Sequence, residues 1–204
     1  MRLAYADPPY PGKAHLYPEN TEVDHLELVA KLMEYDGWAL STDERSLSYV
    51  LSLCPSDVRV LAWCRRNAPP LLPNPIASWE PVILKPARKN QTNVRSYVET
   101  EAPIGFRQRQ GLTGQKPAVF CDWVIRCLGA RPRDTLDDLF PGTGIMGETW
   151  DRWRRQLTLA APEGRRPTGA AWANRVRRAN ECLPGLAPER QTVPERSYKR
   201  TDAV

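Results

Sequence analysis

Two short stretches of this chain combine residue types that do chemistry. Asp7, Pro8, Pro9 and Tyr10 stand near the start, and Phe140, Pro141, Gly142, Thr143 and Gly144 stand far along. Consecutive prolines stiffen a backbone, and the first holds the residue before it extended. Asp7 and Tyr10 are thereby fixed on one rigid turn. Pro8 and Pro9 carry no N–H, so the turn presents acceptors: a carboxylate and backbone carbonyls. That set suits an –NH2 group on a planar molecule, with the Tyr10 ring stacking on its face. In the second stretch, Gly-x-Gly between a strand and a helix lets backbone approach a ligand closely. Asp137 and Asp138 precede it, and a carboxylate there suits an amine or hydroxyl donor better than a phosphate. The loop is not a phosphate-binding Walker motif, since no Gly-Lys-Ser/Thr follows, and it lacks the third glycine of the dinucleotide fingerprint.

Both loops need strands to aim them. "MRLAYAD" reads as a short buried strand ending at Asp7. "TEVDHLELVAKLMEYDG" carries Val23, Leu26, Val29, Leu32 and Met33 at helical spacing, with Gly37 as the stop. "WALSTD", "VRVLAWCR", "WEPVILKP" and "DTLDDLF" read as strands; "SLSYVLSLCP", "KPAVFCDWVIRCLGA" and "IMGETWDRWRRQL" read as helices. On the second of these helical segments, Val119, Phe120, Trp123, Val124, Cys127 and Leu128 form one face. "NAPPLLPNP" and residues 87–114 read as loop or insert. Strands alternating with helices predict an α/β fold, a mostly parallel sheet with helices on both faces. Ligands of such sheets sit at the carboxyl ends of the strands, where both loops would open.

The bulk numbers set limits. A chain of 204 residues suits one domain and a tail. We place the domain at 1–160, with 87–114 as a short insert, and a basic Pro/Arg-rich tail at 161–204. No apolar run reaches the roughly 20 residues of a membrane helix, and no signal peptide is read, so the expected location is cytoplasmic. Cys54, Cys64, Cys121, Cys127 and Cys182 form no CxxC pair, which predicts reduced thiols and no zinc site. The net charge of +5 and pI near 9.1 are compatible with a polyanionic partner. Arg152, Arg154, Arg155, Arg165, Arg166, Arg175, Arg177 and Arg178 cluster late in the chain.

Taken together, the two loops resemble those of the S-adenosylmethionine-dependent amino-methyltransferases of DNA, in their circularly permuted beta class. That family has a D/S/N-P-P-Y/F/W catalytic loop, here Asp7-Pro8-Pro9-Tyr10, and an F-x-G-x-G cofactor loop, here residues 140–144. The catalytic loop comes first, as in the beta class. "TGQKP" before a helix looks like the family's "QKP" element, and "SWEPVIL" resembles its strand with an aromatic residue near the target base. The resemblance covers residues 1 to about 155. It implies a Rossmann-like methyltransferase fold, S-adenosylmethionine as cofactor, double-stranded DNA as partner and no metal. It implies that Asp7 and the Pro8 carbonyl accept the two N–H bonds of a flipped base while Tyr10 stacks on it. Trp79 becomes the candidate second wall, and Lys13 and His15 become candidate phosphate contacts. Asp7, Gln115, Lys116, Pro117, Asp138, Phe140, Gly142, Thr143 and Gly144 would line the cofactor pocket, with Asp138 meeting the methionine amine.

The chain also departs from the pattern. Leu139 stands where the family usually has Pro, and Ile145 and Met146 stand where it often has Thr-Thr. No residue is assigned to the cofactor ribose; Glu163 is a poor candidate. The insert is short for target recognition, so specificity is loose or depends on a homodimer or the tail. Asp7 at the first loop position favours adenine's 6-amino group. The alternatives are cytosine's 4-amino group, RNA, or a degenerate fold that only binds nucleic acid. A restriction–modification enzyme, a solitary enzyme and a phage enzyme would read alike.

Overall fold

A computed structural model of the chain describes residues 1–17, 20–67, 75–88, 94–101 and 115–159. The tail at 161–204, Glu163, Cys182 and most of the 87–114 insert lie outside the described residues. Among the described residues six strands form one sheet: β1 (Arg2–Ala6), β2 (Gly37–Ser41), β3 (Arg59–Arg65), β4 (Trp79–Lys85), β5 (Tyr97–Thr100) and β6 (Thr135–Asp138). Their order is β5-β3-β4-β2-β1-β6. β4 runs antiparallel to β2 and β3; the other pairings, β1–β2, β1–β6 and β3–β5, are parallel. The sheet is therefore mostly parallel, as expected. The first strand lies inside it, flanked by β2 and β6.

Among the described residues, four helices cover both faces: α1 (His25–Leu32), α2 (Leu47–Leu53), α3 (Ala118–Cys127) and α4 (Ile145–Leu159). The strand period of two divides β1 between them. Leu3 and Tyr5 join Phe120, Trp123 and Val124 of α3 and Met146, Trp150 and Trp153 of α4. Ala4 and Ala6 join Leu28, Val29 and Leu32 of α1 and Val50 of α2. β1 thus has a helix layer on each side, which explains its continuous apolar run.

Three local expectations are corrected. Tyr97–Thr100 lie in the segment read as loop but form β5 beside β3. Four residues at a sheet edge, three of them not fully buried, leave too short a pattern to read. On α1 the buried stripe is His25, Leu28, Val29 and Leu32, while Leu26 and Met33 face outward. The helix starts late, capped by Asp24, whose carboxylate accepts from the Leu26 and Glu27 N–H groups. Val119 on α3 is likewise exposed, and Cys121 and Ile125 are buried instead. Gly37 does more than end a helix. It opens β2 against the Ala87 backbone, where a side-chain Cβ would lie 2.7 Å from the Ala87 Cα.

Candidate functional site

The carboxyl ends of β1, β2, β3 and β6 and the start of the reversed β4 share one edge of the sheet. Asp7 follows β1 at this edge. Beneath it, the Tyr5 hydroxyl is hydrogen-bonded to Ser41 Oγ of β2 at 2.9 Å, both groups buried. Pro8 is buried and Pro9 half-buried. A turn then redirects the chain: the Lys13 N–H donates to the Tyr10 carbonyl at 2.8 Å. Pro11 and Gly12 fill the two central positions, and Gly12 has φ +73°, as a type II turn requires. The Glu22 carboxylate accepts from the Gly12 and Ala14 N–H groups at 3.2 Å each, which ties the turn down.

Around Asp7 and Tyr10 the structure assembles a charge cluster. Lys116 sits in the turn before α3 and is buried, 6% exposed. Its ammonium lies 2.9 Å from Asp7 Oδ1, 3.1 Å from the Tyr10 hydroxyl and 3.2 Å from Glu80 Oε2. The Tyr10 hydroxyl donates to Glu80 Oε2 at 2.9 Å and lies 3.4 Å from Asp7 Oδ1. Arg65 Nη1 closes the cluster 3.2 Å from Glu80 Oε1. The ammonium also lies 5.6 Å from the centre of the Tyr10 ring and 5.5 Å from that of Trp63.

Burial and charge act differently on each member. Burial raises the Asp7 carboxyl above the usual carboxylate range; Lys116 only partly offsets this, and the Glu80 charge adds to it. Burial would also raise Glu80, but Lys116 and Arg65 together pull it below its ordinary value. Burial disfavours the Lys116 ammonium, yet Asp7 and Glu80 outweigh it and push the group up, so it is charged at neutral pH. Burial and the two carboxylates raise the Tyr10 phenol well above its ordinary value, which keeps it a donor.

The glycine turn stands on the adjacent strand. Asp138 of β6 is in register with Tyr5 of β1. Its carboxyl is pushed up to about 6 by burial, against the Phe140 N–H that donates to it, with Asp7 adding to the rise. Gly142 has φ +47° and Gly144 φ +78°, and the Gly144 N–H donates to the Pro141 carbonyl at 2.7 Å. The Gly144 carbonyl accepts from the Glu148 N–H and opens α4. No atom lies within 4 Å of where a Gly144 Cβ would point, so this backbone faces open space. Thr143 is half-buried. Asp137, one residue earlier, accepts from the Tyr35 hydroxyl at 2.9 Å and pairs with Arg2.

Of the residues singled out in the sequence, the fold brings together Asp7, Tyr10 and Lys116, with Gln115 and Pro117 flanking Lys116. Asp138 and residues 140–144 lie one strand away. Phe140 packs toward the α1 side of the sheet. Trp79 does not join the cluster. It neighbours Glu80 on β4, so strand alternation turns the two to opposite faces; Glu80 shares its face with Val82 and Leu84, Trp79 with Ile83. Lys13 is half-buried and His15 exposed, beyond the turn. Glu80 and Arg65 had no role in the sequence reading. The available signal was an acid inside the apolar run "WEPVIL", since a buried charge needs a partner. Among the described residues no group of three or more His, Cys, Asp or Glu is placed to hold a metal. Among them, no helix is long and apolar enough to cross a membrane. Cys54, Cys64, Cys121 and Cys127 are free thiols.

No protein-family model matches the chain, and no curated protein does. Among solved structures it is similar to a complex of M1.HpyAVI with SAM, at 15% identity over 75% of this chain and 77% of that one, with a TM-score of 0.48. It is similar to M1.HpyAVI by itself at 16% identity over 75% and 76%, with the same TM-score.

Proposed function

We propose that this protein methylates the exocyclic 6-amino group of adenine in DNA, with S-adenosylmethionine as methyl donor. The observation that carries the reading is the placement of two unlike half-sites side by side. An acceptor loop with an aromatic ring ends β1, and a glycine turn behind an acid ends the adjacent β6.

The residues fit the cofactor. Asp138 offers a partly buried carboxylate for an amino acid's ammonium. The left-handed Gly142 and Gly144 and the open space at Gly144 leave room for a ligand against backbone. When bound, the cofactor supplies a methyl group on a sulfonium, electrophilic enough to need no metal.

The chain's part is positioning and electrostatics. A base must leave the DNA stack to reach this edge, at a cost of a few kcal/mol. Stacking on Tyr10 offsets about 1–3 kcal/mol of it. The Asp7 carboxylate and the Pro8 carbonyl accept the two N–H bonds of the amine, which aims the nitrogen lone pair away from them. As the nitrogen gains a methyl it sheds one proton, and Asp7, held above the usual carboxylate range, is the acceptor at hand.

The test is incubation with methyl-labelled S-adenosylmethionine and unmethylated DNA or RNA, digestion to nucleosides and identification of the labelled base. The expected product is 6-methyladenine from DNA. Label in 4-methylcytosine or in RNA would overturn the choice of target. No label, with no cofactor binding, would overturn the enzyme.

A further inference from the structure

Three charged residues of the cluster, Glu80, its anchor Arg65 and the shared Lys116, have no task in the proposed reaction. The position of Glu80 calls for one. The Lys116 ammonium has three protons and faces three oxygens, on Asp7, Tyr10 and Glu80. Tyr10 has one proton and two carboxylates in reach, Glu80 at 2.9 Å and Asp7 at 3.4 Å. The shorter contact claims it. Arg65 holds the far oxygen of Glu80 and, through Nη2, the Ala77 carbonyl at 2.5 Å, so Glu80 is fixed and cannot follow a moving partner. Among the described residues Asp7 has no such anchor; Lys116 and Tyr10 both meet it at Oδ1. An amine that is to donate to Asp7 competes with those two donors. With Glu80 removed, both would turn to Asp7 alone.

We infer that Glu80 is a positioning residue for the transfer: it accepts the Tyr10 hydroxyl's hydrogen bond and a share of the Lys116 ammonium, and so keeps Asp7 open to the target amine. Lys116 then moves toward Glu80 when the amine arrives. This rests on the reading that Asp7 accepts the amine. The charges agree with it, since two carboxylates face two cations. Neutralising Glu80 leaves one positive charge in excess and concentrates Lys116 on Asp7. Among the described residues, the groups acting on Asp7 include Lys116 before α3, Glu80 on β4, Tyr10 on its own loop, Tyr5 on β1, Cys121 on α3 and Asp138 on β6. Of these, Glu80 is the one whose replacement strips negative charge without removing a residue of either half-site.

The test compares the full chain with its Glu80→Gln and Glu80→Asp variants. Two quantities are read: kcat for methyl transfer to unmethylated DNA against pH, and the titration of the Asp7 carboxyl carbon by NMR without cofactor or DNA. In Glu80→Gln, kcat should fall about 10–100-fold, the loss of a charged hydrogen bond, with KM for the cofactor little changed. The Asp7 midpoint and the acid limb of kcat should both move to lower pH, because a neighbouring negative charge is gone. Glu80→Asp keeps the charge, so it should lose kcat while the midpoint stays. A wild-type kcat in Glu80→Gln, or an unmoved Asp7 midpoint, would overturn the inference. If Glu80→Gln did not fold, a wild-type kcat in Glu80→Asp would overturn it. A wild-type chain that transfers no methyl would instead sink the functional reading, and the Asp7 titration would still judge the shared ammonium.

Discussion

Two charge clusters occupy opposite ends of the same sheet, and β1 connects them. At the amino edge, Asp134 is 4% exposed and accepts from four nitrogens. Arg88 binds it with two nitrogens at 2.7 and 2.8 Å, the Arg131 N–H at 2.7 Å and the Met1 amino group at 3.1 Å. At the carboxyl edge, Asp7 shares one ammonium with a second carboxylate. Burial raises both acids, but the donors around Asp134 win and hold it below its ordinary value, whereas Asp7 stays above. A buried carboxylate saturated with donors fixes a fold. One left short of donors can still take a proton or an N–H from a ligand.

The largest effect expected from breaking this contrast is at Lys116. Lys116→Met leaves Asp7 and Glu80 buried with Arg65 as the one cation of the cluster, at a cost of about 3–5 kcal/mol in unfolding free energy. The sign with pH is diagnostic. Without the ammonium both acids are held up, so the variant should recover stability relative to wild type as pH falls and they protonate. Chemical denaturation across pH checks this.

Asp134→Ala follows, at about 2–3 kcal/mol, since Arg88 is less deeply buried and can partly rehydrate. Here the sign is opposite. Asp134 is depressed in the folded state, so its contribution is present above the unfolded value near 4 and is lost as pH falls through the folded one. Wild type should lose this contribution in acid, and the variant should have none to lose. Denaturation of the pair at neutral and acid pH measures it. Methyl transfer by folded Asp134→Ala should equal that of wild type.

Gly144→Ala should cost about 1–2 kcal/mol, because φ +78° strains any side chain although space is free there. Calorimetric titration should show weaker cofactor binding as well. The smallest effect is at Asp138. With its carboxyl near 6, cofactor affinity should fall by up to about tenfold per pH unit below that value, as the charge that meets an ammonium is lost. Asp138→Asn should bind more weakly at neutral pH and show no such slope.

How much of this was legible in the sequence follows from how local each feature is. Asp7 to Tyr10 and Phe140 to Gly144 are contiguous, and Pro and Gly state their backbone needs directly. The Lys116–Asp7 pair spans 109 positions and the Tyr10–Glu80 bond 70, so neither can be read from spacing. "QKP" drew notice to Lys116 as a cofactor residue, but its carboxylate partners appear only once β1 and β4 share an edge. β5 was missed for its length. The α1 stripe was misread because His25 is buried, with Nδ1 on the Val23 carbonyl, while apolar Leu26 is not.

The central claim is that Asp7 serves the transfer and the glycine turn serves the cofactor, as separable halves of one site. The direct measurement sets cofactor binding by calorimetry beside single-turnover methyl transfer to unmethylated DNA, for wild type and Asp7→Asn. Asn keeps an acceptor oxygen but loses the charge. The expected result is transfer slowed about 100-fold or more, with cofactor affinity, to which Asp7 adds only one wall of the pocket, reduced far less. Transfer at the wild-type rate in Asp7→Asn would contradict it.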